Sequence, residues 1–330
     1  MSVSVALCTR NGARFVEAQL RSILDQTILP TQIVVSDDAS TDRTIEIVES
    51  VVARWRASHV EESLDLVVLI NDQPLGVTRN FEQAVLRTDG DLVALSDQDD
   101  VWLPTRLERM VTEFTERPEL LLLHSDAYLV DGTGFRSGGT LFGALDVSQQ
   151  MITSIHQGSA LNVLMKRNVV TGATTIFRRS LLDRAIPFPD GWLHDEWLAV
   201  LAAAVGQMDV LEHPLIEYRQ HGANEIGATR LSFVDKVRKV FSPGATRNAR
   251  LLLRAESLAA RVDDLSESQS LQEMVTEKLA HEATRSSLGV RRLDRLSPIL
   301  RELRTGRYER FGRGTVDAVR DLVQPLRLHD

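Results

Sequence analysis

Short apolar runs alternate with stretches of helical periodicity over the first 125 residues. Ser2–Leu7 predicts a strand, and Ala13–Asp25 predicts a helix whose Phe15, Val16, Leu20, Ile23 and Leu24 share one face. Gln32–Ser36 and a helix from about Asp42, with Ile45, Val48, Val51, Val52 and Trp55 at helical spacing, repeat the unit. Leu64–Ile70 and Asp91–Leu95 supply two more strands, separated by a turn at Asn71–Gly76 and a helix near Thr78–Arg87. Repeated βα alternation implies an α/β fold with a mainly parallel sheet flanked by helices.

Further along, residues 131–157 read as irregular and rich in Gly and Ser, fit to shape an acceptor opening, and precede a helix and a strand at Thr171–Phe177. From Leu231 onward helical patterns dominate, interrupted at Ser242-Pro243-Gly244 and Ser297-Pro298. The chain therefore divides into a catalytic-type domain over 1–228 and a helical extension over 229–330.

Charge sharpens that division. Residues 1–228 carry 18 Lys+Arg against 32 Asp+Glu, a charge of −14, whereas 229–330 carry 20 against 14, a charge of +6. An acidic front part argues against nucleic acid as a partner, because phosphate backbones need a basic footprint, while a divalent metal reconciles carboxylates with a phosphorylated small molecule. Cys8 is the only cysteine, which excludes an intrachain disulfide and a cysteine zinc site and fits a reducing cytosol. Met1 leads straight into an apolar strand without a charged leader, and the apolar run Leu198–Val205 is too short to span a bilayer. A cytoplasmic protein is expected, with contact at the inner membrane face left open.

In a parallel sheet ligands sit beyond the carboxyl ends of the strands, so the residues after each apolar run carry the chemistry. Asp97 and Asp99 stand two apart after the Asp91–Leu95 strand, a spacing that turns both carboxylates to one side of an extended segment. Two carboxylates and a diphosphate make a suitable oxygen set for Mg²⁺ or Mn²⁺, which would neutralise a departing nucleotide diphosphate. Helix capping is the alternative for such a pair. Asp37 and Asp38 follow Ile33-Val34-Val35 at the same rim, where a carboxylate can accept the N3–H of uracil or thymine; a turn role is equally compatible, and Asp42 reads as a helix-start residue. His194-Asp195-Glu196-Trp197 opens an apolar helix, and a carboxylate there can take the proton of an attacking hydroxyl or merely complement the helix dipole. Only one of Asp195 and Glu196 can face the site. In Tyr218-Arg219-Gln220-His221-Gly222-Ala223-Asn224, Arg219 can hold a phosphate oxygen and His221 a phosphate or the metal.

Taken in order, Cys8-Thr9-Arg10-Asn11-Gly12, Ser36-Asp37-Asp38-Ala39-Ser40-Thr41-Asp42, Ser96-Asp97-Gln98-Asp99-Asp100-Val101-Trp102, His194-Asp195 and Tyr218 to Asn224 resemble glycosyltransferase family 2 over about residues 3–228. The resemblance implies a Rossmann-like GT-A fold, a nucleotide-sugar donor, a divalent metal and inversion at the anomeric carbon. It puts Thr9, Asn11, Asp37 and Asp38 at the nucleoside, Asp97 and Asp99 at the metal and diphosphate, and Asp195 as the base. Arg219 and His221 would close over the phosphates, and Arg79 is a further donor-binding candidate. The family often has Glu-Asp where this chain has His194-Asp195, which leaves the role of the first position open. The Ser-Asp-Gln-Asp-Asp-Val-Trp and Arg-Gln-His-Gly strings look most like a branch that includes rhamnosyltransferases of bacterial surface polysaccharides. That likeness implies dTDP-L-rhamnose, with other dTDP- or UDP-sugars as alternatives, and a glycan or polyprenyl-linked glycan acceptor.

Two readings from other classes stand beside this one. A catalytically silent sugar- or nucleotide-binding module would use the same fold; a nucleotidyltransferase would need a Gly-rich basic triphosphate loop, of which Thr9–Arg14 is a poor version. In the extension, Leu231, Phe233, Val234, Val237 and Phe241 beside Lys236, Arg238 and Lys239 suit peripheral membrane contact; packing on the catalytic domain or a second subunit suits them equally.

Overall fold

The computed structural model describes residues 1–220, 244–265 and 268–325. Strands β1 (Val3–Thr9), β2 (Gln32–Asp37), β3 (Asp65–Ile70) and β4 (Leu92–Asp97) alternate with helices α1 (Val16–Leu24), α2 (Thr44–Ser58) and α3 (Val77–Leu86). All four strands are where the apolar runs predict them. Three of them, β1, β2 and β4, continue one or two residues further into the polar motifs that follow. The parallel ladder explains the extension: Cys8 pairs with Ser36 on one side and Asp97 on the other, and backbone bonding is indifferent to the side chain. Every residue of β1 and β2 is buried, as strands covered on both faces must be, whereas edge strand β3 exposes Asp65 and Ile70.

The chain continues through β5 (Val101–Trp102), α4 (Arg106–Glu116), β6 (Leu120–Val130), β7 (Arg136–Thr140), α5 (Leu141–Ala144), α6 (Gln149–His156), α7 (Ala160–Leu164), β8 (Thr175–Arg178), α8 (Leu182–Ala185), α9 (His194–Val205) and β9 (Gln207–Arg219). The sheet order is β3-β2-β1-β4-β8-β6-β9-β5, with β7 on β6. The first four strands are parallel, β8 runs antiparallel to both β4 and β6, and β9 runs parallel to β6. Between Ser125 and Asp126 the pairing with β9 jumps from Leu211 to Pro214. This bulge curls the sheet and brings the end of β9 alongside β5, where Trp102 faces Ile216 and Val101 faces Glu217.

Residues 131–157 are not irregular: they hold β7, α5 and α6. The hydroxyls of Thr140 and Ser148 accept the amides of Gly143 and Met151 at the starts of the two helices, each at 3.3 Å. Elements of four to eight residues are too short to show a period, and β7, Arg-Ser-Gly-Gly-Thr, is a strand only because β6 pairs with it. The predicted strand at Thr171 likewise begins as a tight turn over Gly172–Thr174, because the Thr171 carbonyl accepts the Thr174 amide and the hydroxyls of Thr174 and Thr175.

Two compact units emerge. One comprises Met1–Gly158, Val169–Phe188 and Leu193–Ala228; the other comprises Ser159–Asn168, Pro189–Trp192 and Thr229–Asp330. Two short segments that precede residue 228 thus join the second unit. The Lys278 ammonium donates to the Met165 carbonyl at 3.0 Å, and the Trp192 indole donates to the Arg254 carbonyl at 3.2 Å. The described helices of this unit include Gly244–Ala259, Gln269–Ser286, Arg292–Arg304, Arg307–Phe311 and Thr315–Val323. Pro298 does not interrupt its segment as its sequence position suggests; it lies inside the helix Arg292–Arg304. A proline there costs about 3 kcal/mol of helix stability, and the inward bonding of Arg295 and Glu302, described below, offsets it. The apolar and basic positions between Leu231 and Phe241 lie outside the described residues. Among the described residues no helix is long and apolar enough to cross a membrane.

One buried group gives this fold a pH dependence. His124, in mid-β6 between Thr175 and Val210, is 1% exposed and meets the Phe142 ring edge-on at 5.6 Å. Burial pushes its imidazole down to about 4, with the Asp209 charge opposing. The folded state thus favours neutral imidazole, so its contribution is intact above about 6.5 and is lost as pH falls toward 4. Thermal unfolding of the wild type should lose about 3 kcal/mol more stability over that interval than a His124→Phe variant; parallel pH profiles would refute the assignment.

Candidate active site

At the carboxyl edge of the sheet, the loops after β1 and β2 are laced together. Thr9 and Asp37 are register partners, and the Thr9 hydroxyl donates to Asp37 Oδ1 at 2.7 Å. The Ser40 amide and hydroxyl donate to the two oxygens of the same carboxylate at 2.8 and 2.6 Å. Asn11 Oδ1 accepts the Thr41 amide at 2.8 Å, while its own amide donates to the Ser40 hydroxyl at 2.7 Å. Asp42 accepts the Ala13 amide at 3.1 Å and the Thr44 amide at 3.0 Å, at the start of α2. Asn11 and Ala39 sit at φ of 49° and 61°, the left-handed region that costs an alanine about 1 kcal/mol. The lacing over-determines both conformations.

Asp38 reaches the other way. Its carboxylate accepts the amides of Leu75 and Gly76 at 2.6 and 3.0 Å, which fixes the turn that opens α3, and the Arg10 guanidinium lies 3.9 Å off. One turn into α3, Arg79 forms an ion pair with Glu82 at 2.6 Å. Asp37 and Asp38 are thus both turn-forming residues, whatever else they contact at the rim.

The acidic loop after β4 is tied to this lattice by a residue that the motif spacing does not mark as functional. Gln98 accepts the Arg10 amide through Oε1 at 2.8 Å and donates Nε2 to the Arg10 carbonyl at 3.0 Å. A Cβ at position 12 would collide with Gln98 Oε1, so the glycine of Arg-Asn-Gly is the space in which the glutamine lies. On the far side, β9 delivers Tyr218 and Arg219 onto the loop. The Arg219 amide donates to Asp100 Oδ1 at 2.9 Å, its Nε to the Asp99 carbonyl at 2.7 Å and its Nη1 to the Asp131 carbonyl at 3.1 Å. Arg219 is therefore built into the wall of the loop.

Carboxylates crowd this loop. Burial, together with the charges of Asp99 and Asp195, pushes Asp97 up to about 7. Burial, Asp99 and Asp97 push Asp100 up as well, opposed by the Arg219 amide and the Arg106 charge. Arg106 is fully buried with its guanidinium 3.8 Å from the Trp102 ring centroid. Burial, then the charges of Asp100, Asp97, Asp99 and Asp195, also hold the Tyr218 phenol protonated well beyond its ordinary range. Among the described residues no group of three or more His, Cys, Asp or Glu side chains is arranged to hold a metal ion. Asp97 and Asp99 nevertheless suit a cation that keeps waters and substrate oxygens in its shell, since their mutual repulsion is what a divalent charge relieves. His221 lies outside the described residues.

Asp195 stands in the first turn of α9, where two amides orient it: Gly172 donates to Oδ2 and Glu196 to Oδ1, each at 2.8 Å. Its charge also contributes to raising Asp97 and Tyr218. His194 turns inward instead. Its ring stacks on Phe81 at 3.8 Å and 16°, burial pushes its imidazole down with Asp195 opposing, and a Cβ at Gly172 would lie 2.8 Å from its Nε2. An aromatic packing role thus explains how His can stand where the related motif has Glu.

An α/β sheet with polar, acidic loops gathered at its carboxyl edge defines the class, and sequence comparison supplies the family. The profile of Glycosyl transferase family 2 matches residues 4–185, and the chain belongs to that family. It is 26% identical over 230 residues to the uncharacterised glycosyltransferase alr2836 of Nostoc sp., covering 68% of this chain and 66% of that protein, just under two thirds. It is 25% identical over 255 residues to the dTDP-rhamnosyl transferase RfbG of Shigella flexneri, covering 73% and 79%. Residues 1–349 of S. aureus TarS, solved with UDP-GlcNAc, superpose with a TM-score of 0.60 at 15% identity over 98% of this chain and 90% of that one. That likeness is one of fold, and the fold is GT-A.

The Gln98 bridge makes a test of the rim. Gly12→Ala must expel the Gln98 amide from Arg10, so Gly12→Ala and Gln98→Ala should each cost about 1–2 kcal/mol. The double variant should cost no more than the worse single one in denaturant unfolding. Additive losses would mean that the glycine serves another purpose.

Proposed function

We propose that the chain transfers a sugar from a nucleoside diphosphate to an acceptor hydroxyl with inversion at the anomeric carbon. The observation that supports this reading is that Asp195, oriented by two amides, is near enough to Asp97 for its charge to raise that carboxyl. In the proposed step the acceptor oxygen attacks the anomeric carbon from the face opposite the diphosphate. Asp195 takes the hydroxyl proton as the new bond forms, and the glycosidic bond to the diphosphate breaks with its electron pair leaving on the phosphate oxygen. No covalent sugar–enzyme intermediate is needed. Asp97 and Asp99, with His221 as a further ligand, would hold Mg²⁺ or Mn²⁺, whose charge when bound neutralises the leaving diphosphate.

The nucleoside would lie against the laced rim of Thr9, Asn11, Asp37 and Asp38, where a carboxylate oxygen accepts the N3–H of thymine or uracil. Arg79, Arg219 and His221 are the basic groups assigned to the donor phosphates. The preferred donor is dTDP-L-rhamnose, supported by the acidic and Arg-Gln-His-Gly strings and by the likeness to the dTDP-rhamnosyl transferase of Shigella flexneri. A UDP-sugar is the alternative, supported by the UDP-GlcNAc bound to TarS. The acceptor is a hydroxyl of a glycan or polyprenyl-linked glycan in bacterial surface polysaccharide synthesis.

Asp195→Asn should lower transfer by about 10²–10⁴-fold, the usual worth of a general base, while donor affinity stays within about twofold. Transfer near the wild-type rate would remove Asp195 from the base role. Asp99→Ala should weaken donor binding in the presence of Mn²⁺ or Mg²⁺ but leave metal-free binding unchanged. Equal calorimetric affinities with metal for variant and wild type would refute the metal assignment.

A further inference from the structure

Along one helix of the second unit, the usual partition of polar and apolar side chains is reversed. Helix Arg292–Arg304 turns Arg295, Ile299 and Glu302 inward, whereas Leu293, Leu296 and Leu300 are 80%, 40% and 49% exposed. Spacings of three and four residues place these leucines in one stripe on the helix surface.

The helix is prevented from rolling to bury that stripe. Arg295 donates to the carbonyls of Gly289 and Val290 at 2.7 and 2.9 Å and to those of Asp321, Leu322 and Gln324 at 3.0, 3.2 and 2.7 Å. Glu302 lies 2.7 Å from His281 Nδ1 and 3.3 Å from an Arg307 nitrogen. Turning the leucines inward would break these bonds and strand charged groups, and an uncompensated charge costs more than an exposed leucine. The leucines therefore stay at the surface.

Arg291, Arg292, Arg301 and Arg304 are exposed on and beside the same helix, and Asp294 is its one exposed acid. We propose that this face docks onto an anionic membrane surface. Leu293, Leu296 and Leu300 enter the boundary between headgroups and acyl chains, and the arginines meet lipid phosphates. Charge selects this occupant over a second copy, because a two-fold contact through the stripe would set its arginines against their own images. The proposal is independent of the donor and mechanism assigned above.

Sedimentation of the full chain with vesicles tests it. The wild type should pellet at low salt with vesicles of phosphatidylcholine and phosphatidylglycerol in equal parts. It should not pellet with phosphatidylcholine alone, and it should be released as salt rises. A Leu293→Ser, Leu296→Ser, Leu300→Ser variant should bind about tenfold more weakly or worse while keeping the wild-type thermal midpoint. Should that variant misfold, Arg292→Gln with Arg301→Gln and Arg304→Gln carries the test, with weaker binding and a flatter salt dependence. Failure of the wild type to bind the anionic vesicles, or undiminished binding by the folded leucine variant, would overturn the proposal. So would self-association on ultracentrifugation that the leucine changes abolish while vesicle binding is absent.

Discussion

Repulsion among carboxylates is the constraint around which the first unit is organised. Asp97, Asp99, Asp100 and Asp195 all act on the Tyr218 phenol, and Asp97 is lifted to about 7 by burial and by two of its neighbours. Such a cluster does not stay together by itself. Backbone donors hold its members in place: the Arg219 amide on Asp100, and the Gly172 and Glu196 amides on Asp195. Charges held close in this way gain from a divalent cation or from a proton, either of which relieves their repulsion.

Holding that arrangement requires three loops to meet from separate parts of the chain, and parallel strands supply the means. The carboxyl ends of β1, β2 and β4 lie at one level because their ladders are in register, so Thr9, Asp37 and Asp97 emerge side by side. Gln98 then bonds both polar groups of Arg10, and Ser40 and Asn11 close the gap toward β2. Each bond contributes on the order of 1 kcal/mol. Together they keep Asn11 and Ala39 in the left-handed region, which an alanine seldom adopts.

The second unit solves a different problem with similar means. Its interior contains the chain Lys278–Glu282–Arg285–Asp321, with ion-pair distances of 2.7, 3.0 and 2.7 Å, and Tyr308 donates to the same Asp321 at 3.0 Å. Among the described residues, Leu288, Ile299, Tyr308 and Ala318 form one buried cluster beside these bonds. Directional bonds inside fix which face each helix presents outside, and so leucines can remain on the surface of Arg292–Arg304.

Apolar periodicity by itself determined the four leading strands, their intervening helices and the parallel sheet, because strands buried on both faces must be apolar along their length. It also located the acidic motifs at the strand ends, where β2 closes on Asp37 and β4 on Asp97. It did not register β7 or the helices at 141–144 and 149–156, which are too short to show a period and form by pairing or capping. Nor did it show Gln98 as the partner of Arg10, His194 as a ring on Phe81, or Arg295 as an interior residue. Each of those depends on what lies across a gap of eighty residues or more, or on the opposite side of a helix bundle. Local pattern decides which residues can reach the rim; the tertiary structure alone decides which groups meet there, because hydrogen bonding and charge act through space and not along the chain.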